Sequence, residues 1–515
     1  MSDEAPVDAE RLKRRARLGV AVLVGRTGVL QLIILAGKVY LARVLGPSEF
    51  GTFWIVQNVL AFLMVFGDAG LGASLVQKKV HPTQRELSSV WWAQVTLAVS
   101  FVAVAWLGAP LLLRFWPDLP PSGPWLLRAL SLEMLLTVLR VIPAILMERE
   151  LQFARLAILD VLGMGLFYLI ASVLARPLGT FALVVAILGS GVIGTVIGFA
   201  MRPWRPSWVF DRSAVREALR FGIAYQTKNL VGFFNGGIIP IYGGARLGRT
   251  ALGLMSWSQN IAYFPLQLVD ILSRVNFPLY SRLQHDRRAL SELLVRSLVV
   301  SAVVTYLFIG LFLGLGPAFV GVIYGDAWVP AVPTLYVFSA ALTIGFIAPL
   351  VASAFDGLGR PSVSMRLGLF WTALNWIVVV VAMRYFHTIL AFALAYTVHI
   401  VVGNALVLWV VRELVDLRAL LRRLAAPLVA GAASALLGWR VLRPWVGGPW
   451  TLAAAIAASF GVYAAITLLL DRQLVTDAQR AFKPKAPEPV DEAASELVAV
   501  QVVTAAAAAP EDRLR

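Results

Sequence analysis

The chain has 515 residues, 59% of them hydrophobic and only 14% charged. A soluble protein of this length needs far more polar surface, so composition points to a polytopic membrane protein. The net charge of +16 reads first as basic residues marking cytoplasmic connections, not as a nucleic-acid surface.

There is no cysteine, which excludes disulfides and thiolate chemistry. The four histidines, His81, His285, His387 and His399, stand far apart. Nothing therefore suggests a metal site or a cofactor. Residues 1–17 read as a basic cytoplasmic tail carrying Arg11, Lys13, Arg14, Arg15 and Arg17. No cleavage pattern follows, so the first apolar segment is expected to be retained as a span.

Hydropathy predicts about fourteen transmembrane helices and an all-α fold. In chain order they cover 18–41, 50–76, 88–114, 124–147, 153–175, 178–201, 214–241, 249–275, 292–323, 330–354, 363–384, 388–411, 424–442 and 449–470. With the N-terminus placed inside, and residues near span ends counted with the adjoining connection, 32 of the 45 basic residues go to cytoplasmic connections and tails, eight to the opposite side and five to spans. That asymmetry supports both the orientation and the number of spans.

A shift of 202 residues superposes Tyr40 on Tyr242, Leu45 on Leu247, Gly46 on Gly248 and Gly51 on Gly253. It also pairs Gln57 with Gln259, Asn58 with Asn260, Phe62 with Phe264 and Asp68 with Asp270. Six helices separate the copies. The expected architecture is two parallel six-helix lobes, 18–201 and 214–411, joined by a cytoplasmic linker at 202–213. Two further helices occupy 424–470, and 471–515 reads as a disordered cytoplasmic tail.

Charges inside spans are costly and usually face a cavity or a partner. The intramembrane cations are Arg26 and Lys38 in the first helix, Arg128 and Arg140 in the fourth, and Lys228 in the seventh. Arg26 and Lys228 are related by the repeat. Thr27, Gln31 and Lys38 share a helical face, as do Lys228 and Asn235. Facing polar helices of this kind would line a cationic cavity, with Arg26, Lys38, Arg140 and Lys228 as the substrate-binding set. Thr27, Gln31 and Asn235 would line it. Buried ion pairs for Arg26 and Lys228, or snorkelling of Lys38 and Arg128, are the plainer alternatives. Asp68, Asp270 and Asp160 are candidate coupling or structural acids. The Gln57-Asn58 and Gln259-Asn260 pairs should tie helices within each half. Gly194-x-x-x-Gly198 and Gly310-x-x-x-Gly314 read as close helix packing. Gly37-Lys38 lacks the other residues of a P-loop, so direct ATP hydrolysis is unsupported.

The segment Leu41-Ala42-Arg43-Val44-Leu45-Gly46-Pro47-Ser48-Glu49-Phe50-Gly51 resembles a signature of Wzx-type polysaccharide exporters. These belong to the multidrug/oligosaccharidyl-lipid/polysaccharide superfamily. Gly67-Asp68-Ala69-Gly70-Leu71-Gly72, Leu75-Val76-Gln77, the stretch from Arg149 to Phe153, Phe277 to Gln284, and Gly359-Arg360-Pro361 resemble further segments in the same order. The resemblance spans about residues 15–410. It implies a flippase carrying undecaprenyl-diphosphate-linked oligosaccharide from the cytoplasmic to the periplasmic leaflet of the bacterial inner membrane. Alternating access through a central cavity is implied with it, as are pathway partners such as a polymerase and glycosyltransferases. Arginine and lysine suit a diphosphate headgroup. A drug or small-cation exporter on the same scaffold would favour acids over the cations seen here. An enzyme of the same pathway would need a larger extramembrane loop than 115–123.

Overall fold

The computed structural model describes residues 9–471 except 69, 79 and 151. Side chains are described from residue 33 onward, apart from 68, 77, 153–154, 223–225, 227–229 and 231. The described chain is built of helices, as its uninterrupted apolar runs require.

The first helical stretch, Ala9–Asp68, turns sharply at Gly46 (φ 70°, ψ 177°). This splits it into α1 (9–45) and α2 (47–68), with Pro47 at the first position of α2, where its missing N–H costs nothing. Helix α1 begins before the hydropathy boundary at 18. Residues 9–17 are strong helix formers that are merely too polar for a bilayer.

Next come α3 (Leu71–Gln77), α4 (Gln84–Gly108), the short α5 (Leu111–Phe115), α6 (Gly123–Arg149), α7 (Phe153–Leu178) and α8 (Thr180–Met201). The second half starts with α9 (Arg212–Ile238). A π turn at Ile239–Gly243 extends it, and the stretch Gly244–Ala262 then breaks at Gly248 (φ 84°, ψ 171°). Helices α10 (249–262) and α11 (Leu266–Arg282) follow. Then come α12 (Arg287–Tyr324), α13 (Val332–Gly345), α14 (Ile347–Gly357), α15 (Pro361–Tyr385) and α16 (Ile389–Val411). The last two are α17 (Leu417–Leu437) and α18 (Pro449–Leu470).

Local chemistry sets many of these ends. Thr83 and Glu86 form a reciprocal capping box on α4. Asp211, Asp286 and Asp416 each accept two backbone N–H bonds at the starts of α9, α12 and α17. Each satisfies donors that a helix start leaves open.

Among the described residues, eleven helices are long and apolar enough to cross a membrane. The expected count was fourteen. The first two expected spans fall in one apolar stretch, Ile33–Gly67, which Gly46 divides between α1 and α2. Arg212–Ile238, which contains undescribed side chains, does not appear among the eleven. Nor does the eighth span, divided between α10 and α11 and carrying Arg249, Asp270 and Arg274.

Of the two expected small-residue motifs, Gly310-x-x-x-Gly314 packs helices closely, whereas Gly198 of the other has open space around it. A Cβ on Gly310 would lie 2.7 Å from the Gly431 carbonyl, and one on Gly314 would lie 2.9 Å from that of Ala435. Helix α17 is thereby seated on α12 at near-backbone contact. Tyr463 of α18 donates to the Val303 carbonyl at 2.7 Å. The last two helices are thus fastened to the second half. Gly191 and Gly194 of α8 face Leu136 and Arg140 of α6.

Candidate functional site: a two-fold clasp and the opposite end

The repeat seen in sequence becomes a contact in space. Gly46 and Gly248, 202 residues apart, adopt the same left-handed conformation, which only glycine takes without strain. Each reverses the chain between two helices. The two reversals then meet. A Cβ on Gly51 would lie 1.7 Å from the Arg249 carbonyl oxygen, and a Cβ on Gly253 would lie 1.9 Å from that of Pro47. Gly51 and Gly253 are repeat mates, and so are Pro47 and Arg249. The contact is therefore reciprocal, as an approximate two-fold axis requires.

The surroundings follow the same rule. Trp328, fully buried, donates its indole N–H to the Ala42 carbonyl at 2.9 Å. Across the axis, Trp116 places its indole nitrogen 3.2 Å from where a Cβ on Gly244 would be, and Gly244 is the repeat mate of Ala42. Arg43 donates to the carbonyls of Val322 and Ile323 at the end of α12, where the helix leaves acceptors unsatisfied. Asp118 in turn accepts from the backbone N–H of Arg249 at 2.8 Å, at the start of α10. Each half thus inserts its hairpin into the other half's loop. Glu49 accepts from the backbone N–H of Thr180 at 2.9 Å, which anchors the α2 start to α8.

The far end of the molecule is built differently. Gly70 (φ 67°) allows α3 to approach α9: a Cβ there would lie 2.7 Å from the Gly222 backbone. Lys78 bonds Glu86 at 2.6 Å and lies 3.8 Å from Glu217 of α9. The hydrogen bond to Glu86 raises the Lys78 ammonium above its ordinary pKa; the Glu86 and Glu217 charges add to this, and partial burial opposes it. Ser74, Leu75, Lys78, Glu86 and Glu217 border a small cavity of about 150 Å³. The segment between the halves is strapped to α4. Trp204 donates to Gln84 at 2.9 Å, Trp92 donates to the Ser207 carbonyl at 3.0 Å, and Arg85 pairs with Asp211 at 3.3 Å.

The predicted site residues are placed unevenly. The side chains of Arg26, Thr27, Gln31, Asp68 and Lys228 lie outside the described residues. Lys38 and Asp160 are exposed on their helices. Arg140 is half-buried, and its guanidinium nitrogen comes within 3.3 Å of a Cβ built on Gly194, so it packs over α8. Arg128 bonds the Trp106 carbonyl at 3.2 Å and stacks on Trp125 at 4.6 Å. Asn235 offers its carbonyl to Asn375 at 3.2 Å, and Trp376 donates to the Phe234 carbonyl at 2.8 Å. These donors brace α9 just before Pro240, which has no N–H to give to the preceding turn. Gln259 bonds the Tyr396 hydroxyl at 3.0 Å and so ties α10 to α16 within its half. Among the described residues, no hydrogen bond or ion pair joins Lys38, Arg140, Asn235, Asp160 and Asp270 to one another.

Asp270 does have a site. It lines a cavity of about 480 Å³ between α11 and α14, together with Ser273, Arg274, Phe277, Ser353 and Asp356. Sequence reasoning passed over Arg274, which lies near the end of the expected eighth span and was not among the intramembrane cations singled out. The clue was available: it follows Asp270 by one helical turn, on the same face.

Comparison with known proteins now bears on this arrangement. A family model described as "Polysaccharide biosynthesis protein" matches residues 40–333. The chain belongs to the polysaccharide biosynthesis protein family. It is 28% identical over 341 residues to the succinoglycan biosynthesis transport protein ExoT of Rhizobium meliloti, covering 65% of this chain and 66% of that protein, just under two thirds of its length. It is 23% identical over 369 residues to the lipopolysaccharide biosynthesis protein WzxC of Escherichia coli, covering 69% and 71%. In fold it is similar to the lipid II flippase MurJ in an inward closed conformation, with TM-score 0.73, 14% identity, and coverage of 88% of this chain and 100% of that one. An inward-facing MATE transporter of the MOP superfamily gives TM-score 0.57 at 15% identity, covering 75% and 95%. The fold is therefore the all-α fold of these transporters.

In this member of the family, the recognisable segments are structural fasteners. Residues 41–51 build the clasp. Arg149 donates to the carbonyls of Leu75, Val76 and Lys78 at 2.7, 3.0 and 2.8 Å, capping α3. Gly359 takes a positive φ of 73° before Pro361 starts α15. Gly357 leaves room for Tyr280, to which a Cβ would come within 2.6 Å.

Proposed function

We propose that this polysaccharide biosynthesis family member is a carrier, not an enzyme. It moves undecaprenyl-diphosphate-linked oligosaccharide from the cytoplasmic to the periplasmic leaflet of the bacterial inner membrane. The reciprocal clasp carries this reading. Two halves that meet backbone to backbone at one end, through a matched pair of glycine hairpins, can part there and rock closed at the other. That is what alternating access demands. The fold similarity to a lipid II flippase, and relatives named for succinoglycan transport and lipopolysaccharide biosynthesis, support the class of cargo.

In this reading both termini are cytoplasmic. The clasp is the periplasmic gate, closed here, and the Lys78 end faces the cytoplasm. The halves 18–201 and 214–411 act as lobes, and the six helices between the repeat copies give both the same orientation in the bilayer. Arg26, Lys38, Arg140 and Lys228 supply the cations for the diphosphate, with Thr27, Gln31 and Asn235 alongside. The polyprenyl tail stays in lipid. A polymerase and glycosyltransferases of the same pathway are its functional partners.

The direct test uses a host whose polymer export depends on this gene. Loss of the protein should trap lipid-linked oligosaccharide on the cytoplasmic leaflet, and Arg26→Ala or Lys228→Ala should reproduce the block. Normal export by both variants at normal protein level would contradict the cationic site. Transport of organic cations by reconstituted vesicles, with no movement of the lipid-linked glycan, would instead make it a drug exporter.

A further inference from the structure

The cavity between α11 and α14 has a composition that the diphosphate does not explain. Its charged side chains are Asp270, Arg274 and Asp356, two acids against one base. Two carboxylates repel a diphosphate. They are, however, strong acceptors for hydroxyl groups, and a guanidinium is a strong donor to them. Ser273 and Ser353 add small hydroxyls, with Ser353 bonded to the Ser273 carbonyl at 3.0 Å. The Ser273 hydroxyl is buried and has no hydrogen-bond partner. Asp356 is held in place by a hydrogen bond from Ser364. Phe277 lies one turn beyond Ser273 and is 46% exposed, which leaves an aromatic surface free on the cavity wall.

Planar acceptors, a planar donor and an open aromatic face are the chemistry that recognises a sugar ring. Hydroxyls pair with the carboxylates and guanidinium, and the ring's C–H face lies on the phenyl. The volume, about 480 Å³, falls within the roughly 300–1,000 Å³ of small-ligand sites. Depth agrees. Asp270 lies twenty-two residues beyond Gly248, about 30 Å along the α10–α11 path at 1.5 Å per residue. The chain turns at 263–265 between the two helices, so the straight distance is shorter than this path, and the cavity lies away from the clasp, toward the level of the opposite headgroups. A glycan on a lipid carrier waits at that level before it is moved.

We propose that Asp270, Arg274, Phe277 and Asp356 form a saccharide-binding subsite. It captures the first sugars of the cargo at the cytoplasmic mouth, separately from the diphosphate. This rests on the flippase reading. It adds that the carrier reads the glycan as well as the lipid phosphate, and that it does so through one lobe only. The repeat mate of Arg274 is Gly72, so the first lobe has no equivalent base there.

The test uses the full-length protein in vesicles loaded with lipid-linked repeat unit extracted from the host, or with undecaprenyl diphosphate bearing no sugar. Repeat-unit oligosaccharide released from its lipid serves as competitor, and inorganic pyrophosphate as a second competitor. Wild type should move the glycosylated carrier, and the free oligosaccharide should inhibit it. Asp270→Asn, Asp356→Asn and Phe277→Leu should each slow that flux at least tenfold and relieve the oligosaccharide's inhibition. Inhibition by pyrophosphate should be unchanged, and Phe277→Tyr should restore flux. Each variant must keep the wild-type melting temperature, and Phe277→Tyr controls for the site's packing. Wild-type flux and oligosaccharide inhibition in all three variants would overturn the subsite. So would a loss of pyrophosphate inhibition in the aspartate variants. If wild type moves neither carrier, the flippase reading itself fails, and the subsite falls with it.

Discussion

The two ends of this molecule hold the halves together differently. At the Gly46 and Gly248 end the contact is symmetric, and main chain lies against main chain. At the Lys78 end the halves meet through a single glycine, Gly70 against the Gly222 backbone, and otherwise through side-chain pairs such as Lys78 with Glu217 and Arg85 with Asp211, none of which has a two-fold mate. Backbone contact without side chains is close and has almost no tolerance for added atoms. Ion pairs between half-exposed side chains are loose, and water replaces them at little cost. A machine that must open at either end in turn can use both. The first makes a tight seal that is complete or absent; the second makes a yielding edge around an entrance.

The sharpest way to break this contrast is to add atoms at the axis. Gly51→Leu or Gly253→Leu should force the clasp apart, because each Cβ position is already occupied by a carbonyl. Transport should fall more than tenfold. Cysteines introduced at Asp118 or Arg249 should react faster with an impermeant maleimide added outside. The chain has no cysteine of its own, so labelling has no background. The equivalent substitution at Gly232, which has open space around it, should change little.

A second prediction concerns the fastener at the other end. Arg149→Met leaves the carbonyls of Leu75, Val76 and Lys78 without their charged donor. It should cost about 2 kcal/mol, read as a lower melting temperature in detergent with the cargo absent. A smaller effect is expected from Trp328→Phe. It removes one buried N–H donor to Ala42 and keeps most of the ring packing. About 1–2 kcal/mol is expected, together with slower closure of the clasp.

Lys78→Met should be smallest, under about 1 kcal/mol, because the pair with Glu86 is partly exposed. Its sign with pH is also set. The folded-state pKa of Lys78 is raised, so its contribution is fully present below the ordinary lysine value. It is lost only as pH rises through the higher, folded one. The wild-type and Lys78→Met melting curves should therefore converge in strong base and stay apart near neutrality. The gap should narrow again in strong acid, where Glu86, whose pKa the Lys78 hydrogen bond holds below the ordinary carboxylate value, takes up a proton; a gap unchanged from neutrality into strong base would show that the pair is not what separates them.

How much of this could be read in the sequence depended on whether function lay in neighbours or in strangers. The repeat at 202 residues was visible because Gly46, Gly51, Gly248 and Gly253 are identical at a fixed spacing. Their role as a clasp followed once the two copies were placed face to face. The signature around residues 41–51 was also legible as a family mark. It turned out to be the clasp itself, not a substrate site. The saccharide cavity was not legible. Asp270 and Arg274 stand on one helix, Asp356 on another, and Phe277 stood inside a segment read only as part of a family resemblance. No local pattern joins residues that only packing brings together.

The central claim is that the clasp must open for cargo to pass. The decisive measurement joins cysteines introduced at Asp118 and Arg249 with a short, reducible bis-methanethiosulfonate and follows flux of the lipid-linked repeat unit in vesicles. Flux should stop when the bridge forms and return when a reductant cleaves it, while either single cysteine stays active throughout. Undiminished flux with the bridge in place would show that cargo crosses without parting the two hairpins, and the alternating-access account would be wrong.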